Sequence, residues 1–443
     1  MIFKRLLLLL AVAVAALGTT AAAASAGELP RQWDPRAVAV NRDADNTFLL
    51  RPGQILAAAA DAADVQRALP GWRQSDRRPS GVTLFTRAPQ DLDDPAREVL
   101  DALARVRKAT AGRPQGPAHV APNHVFVGES AAINFYGEPR VQGGPGSSVR
   151  LAKPPAALPL RTTRLDDGEG VRIAVLDTGM FDHAWLNGVE RAPGSGDVWD
   201  VEGDGYADAE AGHGTFIAGL LLQVAPAARV YSVKVLDSHG VGDDLDVADA
   251  IALLPPDVDI VNLSLGGYTD HNAPPPAIAT ALRLIGKRHG AVVAAAGNQG
   301  VTRPFWPAAF DQVLAVGAVE EKGGAWTRAD YSNHGGWVDV AARGSNLQST
   351  FASDKTKVAQ GLTIDPSDPW IAFGGWASWD GTSFATPIAA AMLARTMSRK
   401  GLSSAADAQA LLLAAAPPAP QPAFLHAVLL DELEGRPDLS LAP

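Results

Sequence analysis

"VRIAVL", residues 171–176, is the stretch that decides the fold class, because its apolar side chains follow one another without the alternation of a half-exposed strand. Such runs are typical of parallel strands that are buried on both faces. Four later stretches have the same character: RVYSVKVLD (229–237), DIVNLSLG (259–266), AVVAAAGN (291–298) and QVLAVGAV (312–319). Several of them are separated by predicted helices, at 214–223, 243–254 and 276–289. This alternation predicts an α/β fold with a doubly wound, mostly parallel sheet and helices on both faces.

A smaller α+β unit precedes this region. Its pattern predicts two helices, at 62–69 and 94–106, and three strands, TFLLRPG (47–53), GVTLFTRA (81–88) and HVAPNHVFV (119–127). We divide the chain into a leader (1–26), the α+β unit (27–136), a Gly/Pro-rich linker or N-terminal arm (137–169), and the α/β domain (170–443), which has a short Pro-rich C-terminal end.

The leader has the pattern of a secretory signal peptide. Lys4 and Arg5 precede an apolar core from Leu6 to Leu17, and small residues follow at 24–26. An uncleaved membrane anchor is the alternative, although twelve apolar residues are few for a bilayer. No other stretch is long and apolar enough to cross a membrane, so we expect a secreted, extracellular chain with no membrane span after maturation.

The composition excludes several classes of function. The 443 residues are 47% hydrophobic and 19% charged, as in a large globular protein, and the net charge of −10 offers no basic surface for nucleic acid. There is no cysteine, which excludes disulfides, thiol nucleophiles and thiolate zinc sites.

Four polar residues stand where α/β sheets place ligands or where helices begin. Asp177 and Asn298 end apolar strands, His213 lies between glycines before a helix, and Ser383 precedes a helix with Pro387 in its first turn. Each has an ordinary structural explanation, since Asp and Asn form turns, His caps helices or lies at the surface, and Ser is a common N-cap. Their second explanation is chemical, because a serine at a helix start can be a nucleophile whose backbone N–H binds an oxyanion.

The order Asp177, His213, Ser383 resembles that of the subtilisin-like serine protease (subtilase, peptidase S8) family. The blocks VLDTG, GHGTFIAG, VNLSLGG, AAAGNQG and GTSFATPIAAA also resemble that family's blocks, in the same order, across roughly 170–400. The resemblance implies that Ser383 is the nucleophile, His213 the general base and Asp177 the group that holds the imidazole, with Asn298 in the oxyanion hole. Only one Asp-Thr-Gly occurs, so an aspartic protease is rejected.

The resemblance also implies a substrate cleft. Ser264, Leu265 and Gly266 match an extended segment that pairs with the substrate backbone, and HGVGD (239–243), with Gly240, resembles the opposite wall. Phe305 lies where the family often has a small residue near the first specificity pocket, so it would favour small or medium side chains there. The alternative is that Phe305 turns into the core.

The expected partners are protein or peptide substrates and the chain's own 27–136 segment, which resembles the family's inhibitory propeptide. We expect no cofactor to be needed for the chemistry. Structural calcium is possible with unknown ligands, since DVEGDGYAD (200–208) begins like a calcium loop but position twelve is Ala211. Two alternatives to a secreted serine endopeptidase are an exported serine esterase, although its triad order would differ, and a catalytically silent binding protein.

Overall fold

The computed structural model describes residues 38–415, except 44, 92, 129–148, 202, 204–206, 354 and 358–369. The predicted signal peptide, the linker up to residue 148 and the chain after residue 415 lie outside this part. Within it, no helix combines the length and the apolar character that crossing a membrane requires.

A large, mostly parallel sheet forms the centre of the α/β domain, in the strand order β15-β14-β13-β11-β7-β9-β8, with β16 also paired to β14. Only the β14–β15 pair is antiparallel among these strands. The strands are β7 (Arg172–Asp177), β8 (Glu190–Arg191), β9 (Arg229–Lys234), β11 (Ile260–Leu263), β13 (Ala291–Ala295), β14 (Val313–Lys322), β15 (Ala325–Arg328) and β16 (Val340–Arg343).

Helices cover both faces of this sheet, because alternate strand residues face opposite ways. Ile173 and Val175 lie in the core beneath α3 (His213–Val224), α6 (Thr382–Lys400) and α7 (Ala405–Ala415). Ala174 and Leu176 lie in a second core beneath α4 (Asp244–Leu253) and α5 (Pro276–Gly286). The prediction of a doubly wound α/β fold is therefore confirmed.

The N-terminal unit has its own sheet, in the order β10-β5-β2-β4-β3, to which β1 and β12 also pair. Its helices, α1 (Ala62–Ala68) and α2 (Pro95–Thr110), match the predicted ones closely. Five strands belong to the unit, β1 (Ala39–Asn41), β2 (Phe48–Ala58), β3 (Arg73–Arg77), β4 (Val82–Thr86) and β5 (Val120–Gly128), whereas β10 (Val241–Asp243) and β12 (Leu265–Gly266) come from the α/β domain.

Before Ser383, β17 (Leu347–Thr350) and β20 (Trp376–Trp379) form a small sheet with β6 (Arg150–Leu151), which belongs to the arm. The strands β18 (Lys355–Lys357) and β19 (Trp370–Ala372) pair separately with each other. Arg150 in this sheet donates to both carboxylate oxygens of Asp380, at 2.9 and 3.0 Å. The arm before the α/β domain is thereby held three residues from Ser383.

One local prediction about α6 is wrong. Pro387 is the sixth residue of the helix and not part of its first turn. A proline there has no N–H for the carbonyl four residues earlier, which belongs to Ser383. The Ser264 hydroxyl donates to that carbonyl at 2.7 Å and so replaces the missing helical bond.

Candidate active site

Asp177, His213 and Ser383 meet at the carboxyl edge of the central sheet. Asp177 is the last residue of β7, His213 the first of α3 and Ser383 the second of α6. The Nδ1 atom of His213 lies 2.8 Å from Asp177 Oδ1, and all three side chains are fully buried. The structure thus pairs Asp177 with His213, and Phe384, the residue after Ser383, has its ring centroid 5.2 Å from that of His213.

The Ser383 hydroxyl donates to the carbonyl of Ser264 at 3.1 Å. The Nε2 atom of His213 has no hydrogen-bond partner among the described residues. To act as a nucleophile, the hydroxyl must turn from the Ser264 carbonyl toward Nε2. A serine O–H rotates readily, and such bonds often tighten only once substrate is bound.

The charges around His213 favour its protonated form. Burial alone would lower the pKa of this imidazole, but Asp177 and Glu210 outweigh it, and the pKa rises to about 9. Asp197 raises the pKa of His213 as well, by less than Asp177 and Glu210 do. Burial raises the pKa of Asp197 itself to about 6, so its carboxylate is largely ionised at neutral pH.

Asn298 is held in one orientation by the residue before Ser383. Its Oδ1 accepts from both the backbone N–H and the hydroxyl of Thr382, each at 2.9 Å. With the oxygen held in this way, the amide NH₂ is the group that can donate to an oxyanion. Ser383 lies at the start of α6, where backbone N–H groups have no intrahelical acceptor.

The strand β5 lies in the cleft beside these residues. It pairs antiparallel with β10, where Val127 faces Val241, and with β12, where Gly128 faces Leu265 and Val127 faces Gly266. The Gly128 N–H also donates to the Gly240 carbonyl at 2.7 Å. The segments expected to form the cleft walls, Ser264-Leu265-Gly266 and 239–243, therefore lie on either side of an extended strand of the same chain.

Phe305 is fully buried beneath the cleft. A Cβ atom built on Gly266 would lie 2.3 Å from its ring, and one built on Gly297 would lie 3.2 Å from it. The ring also meets Tyr268 edge-on, with 5.2 Å between centroids. Phe305 thus occupies the space between a cleft strand and the loop that carries Asn298.

The sequence reasoning missed two residues of this site. Thr382 orients Asn298, and its position directly before Ser383 was the available signal. Glu210 lies three residues before His213, and its Oε2 is 3.5 Å from His213 Nε2. An acid three residues before a candidate histidine was visible in AEAGHG (209–214), although the direction of its side chain was not.

The structure assigns no ligands to calcium. In the described part of the chain, no cluster of three or more His, Cys, Asp or Glu side chains could hold a metal ion. Of the stretch 200–208, residues 202 and 204–206 lie outside that part.

Comparisons with known proteins show the family of this chain. The Subtilase family (Peptidase_S8) model matches residues 168–429, which is more than half of the chain. M-protease of Shouchella clausii (strain KSM-K16) is 32% identical over 240 residues, covering 51% of this chain and 54% of that protein. Subtilisin Savinase of Lederbergia lenta is 32% identical over 233 residues, covering 50% of this chain and 73% of that protein.

The chain thus spans about half the length of the first of these relatives. Among solved structures, fervidolysin from Fervidobacterium pennivorans, a keratinolytic enzyme related to subtilisin, superposes with a TM-score of 0.60 at 19% identity, covering 87% of this chain and 61% of that chain. At this identity the likeness concerns the fold alone. Because the family model matches most of the α/β domain, the chain belongs to the subtilase family.

Proposed function

We propose that this chain is a serine endopeptidase that hydrolyses protein or peptide substrates and needs no cofactor for the chemistry. One observation carries the proposal. The hydrogen-bonded pair Asp177–His213 and the Ser383 hydroxyl lie at the end of a cleft. In this cleft the extended strand β5 is already paired with β10 on one side and with β12 on the other. A peptide substrate binds in this way, by strand addition.

The proposed reaction begins when Ser383 Oγ attacks the peptide carbonyl carbon while its proton passes to His213 Nε2. Asp177 holds the Nδ1–H tautomer and stabilises the imidazolium. The Asn298 amide and the Ser383 N–H receive the oxyanion. Collapse of the tetrahedral intermediate breaks the C–N bond, and the leaving amine takes the proton from Nε2. Water then attacks the acyl-enzyme with the same base, which releases the acid and restores Ser383.

We further propose that segment 27–136 is an inhibitory propeptide. Its last described strand, β5, fills the cleft, and Gly128 lies opposite Leu265, one residue from Ser264. Maturation is expected within 128–150, of which 129–148 lie outside the described residues. Export under the leader 1–26 remains a prediction from the sequence.

The first prediction tests the nucleophile. Ser383→Ala should remove nearly all peptidase activity, by up to about 10⁶ in turnover, which is the size of triad loss in subtilisin. It should also abolish labelling by a fluorophosphonate probe. The matched control is Ser398→Ala, which removes a hydroxyl from the same helix at a site where it accepts from the Gly168 N–H, at 2.9 Å.

The Ser398→Ala enzyme should be labelled and should cleave peptides like wild type. A folded Ser383→Ala protein that still cleaves peptides at the wild-type rate would contradict the assignment. His213→Ala should lose turnover to a similar extent, because the hydroxyl then has no base.

A further inference from the structure

Glu210 is a second buried carboxylate beside the proposed general base. Its side chain is fully buried, and its Oε2 lies 3.5 Å from His213 Nε2. Asp177 already holds the opposite nitrogen, Nδ1, at 2.8 Å. The triad chemistry therefore gives no reason for an acid on the Nε2 side, where the proton of Ser383 has to arrive.

Glu210 also faces the strand that lies in the cleft. A Cβ atom built on Gly128 would lie 3.4 Å from the carboxyl carbon of Glu210 and 3.5 Å from Oε2. Gly128 is not among the glycines with positive φ, so an L-residue could take its place without backbone strain. In any peptide bound like β5, the side chain at this position points to the Glu210 carboxylate.

We propose that Glu210 is a specificity-determining residue, which selects a Lys or Arg side chain at the substrate position that Gly128 occupies in β5. This inference rests on the proposed peptidase function, since it assumes that a substrate binds where β5 lies. A substrate cation would meet a carboxylate that is withdrawn from bulk water, where opposite charges attract more strongly. An acidic side chain would be repelled by the same carboxylate.

The pairing register gives the position of this residue relative to the cleaved bond. Gly128 faces Leu265, so the next residue of a substrate in that register faces Ser264. Ser383 Oγ lies 3.1 Å from the Ser264 carbonyl, so that next residue presents its own carbonyl to the nucleophile. The Lys or Arg is therefore expected at P2, the second residue before the cleaved bond.

The same cation would help the general base. The charged groups that act on the imidazole are Asp177, Glu210 and Asp197, and Lys234 lies 3.6 Å from Asp197. With Gly128 in the cleft, which brings no charge, the pKa of His213 rises to about 9. A positive charge beside Glu210 offsets one of the carboxylates that raise it, so more of the imidazole is available as a base at neutral pH. The inhibitory strand, which carries glycine here, lacks this assistance.

The test begins with the mature wild-type enzyme and five peptides that differ only at P2, which is Lys, Arg, Ala, Gly or Glu. At pH 7, the Lys and Arg peptides should exceed the Ala peptide in kcat/KM by about tenfold or more, equivalent to about 1.4 kcal/mol, and Glu should be poorest. The acid limb of the kcat profile, which reports the pKa of His213 in the enzyme–substrate complex, should lie at lower pH for the Lys peptide than for the Gly peptide. Equal values for Lys, Ala and Glu would overturn the inference, and this result needs no variant.

Glu210→Gln should abolish the Lys and Arg preference and move the acid limb of the Gly peptide to lower pH, because one of the carboxylates that raise the pKa of His213 is gone. The matched control is Asp200→Asn, which removes a negative charge from the segment before Glu210, where Asp200 accepts from the Gly203 N–H at 2.6 Å. This control should keep both the preference and the profile. A purely structural Glu210 would lower the melting temperature in Glu210→Gln and leave both readouts unchanged.

The two levels of failure are distinguishable. An enzyme that cleaves none of the peptides and does not react with fluorophosphonate at Ser383 would contradict the proposed function. An enzyme that reacts and cleaves, but ignores the charge at P2, would contradict only the role of Glu210.

Discussion

At the scale of single residues, Phe305 is the candidate that the sequence offers for limiting the first specificity pocket. It is fully buried between Gly266, which belongs to a cleft strand, and Gly297, which precedes Asn298. One expectation placed the ring in the pocket, because the family often has a small residue at this position, and the other placed it in the core, where phenylalanine is more usual. The ring belongs to a hydrophobic core cluster with Tyr268, as the second expectation has it, and it also lies against two cleft glycines. From the second contact we propose that the ring limits the volume open to a large P1 side chain.

We therefore expect the wild-type enzyme to cut after small or medium residues such as Ala, Val or Leu. Phe305→Ala should extend cleavage to larger P1 residues, with discrimination changing by roughly 1–3 kcal/mol per methylene-scale change. A peptide library read by mass spectrometry measures both profiles. Phe310→Ala, which truncates a phenylalanine in another core, should leave the P1 profile unchanged. Preferred wild-type cleavage after Phe or Tyr would rule the idea out.

At the scale of elements, α6 depends on a bond from outside the helix. Pro387 provides no N–H for the Ser383 carbonyl, and the Ser264 hydroxyl donates to it at 2.7 Å. Ser264→Ala should therefore lower the free energy of unfolding by about 1–3 kcal/mol, the usual cost of leaving a buried polar group without a partner. In a Pro387→Ala background the same change should cost less, because an alanine at this position restores the helical N–H.

Denaturant unfolding of the two single variants and the double variant measures this coupling. Thr386→Ala, which removes a hydroxyl that donates to the Thr382 carbonyl within the same helix, is the control and should add to Ser264→Ala without coupling. Full additivity between Ser264→Ala and Pro387→Ala would show that the bond does not compensate for the proline.

The elements also show how far the sequence could predict this structure. The buried strands and α3 to α5 were predicted within a few residues, because apolar runs and helical periodicity are local signals. The order Asp177, His213, Ser383 was visible as well. By contrast, the pairing of β6 with β20 joins segments more than 200 residues apart, and no local pattern encodes it. The direction of the Glu210 side chain depends in the same way on where β5 and the turn at Gly240 come to lie.

At the scale of the whole molecule, the N-terminal unit is attached to the α/β domain by charge as well as by strand pairing. Arg51 donates to Asp243 at 2.9 Å and Arg78 to Asp249 at 2.7 Å, and both acids lie at α4. Asp249 is 5% exposed and also accepts from the Ser80 N–H at 2.9 Å. Removing the Arg78 guanidinium would leave this carboxylate in the interface with one hydrogen bond fewer and without this ion-pair partner.

The last prediction follows from that interface. The isolated segment 27–136, added to mature enzyme, should inhibit at micromolar concentration or below. Truncating one partner of a buried, hydrogen-bonded charge pair costs about 2–5 kcal/mol, and Arg78 belongs at the low end because its side chain is 39% exposed. Arg78→Ala should thus weaken inhibition by about 30-fold, and the weaker complex should respond less to added salt.

The control is the segment with Arg97→Ala, which should inhibit like wild type. The Arg97 side chain is 72% exposed and pairs with Asp101 in its own helix. If Arg78→Ala inhibits as well as wild type, the ion pair contributes nothing to docking, and if the wild-type segment does not inhibit, the propeptide assignment is wrong.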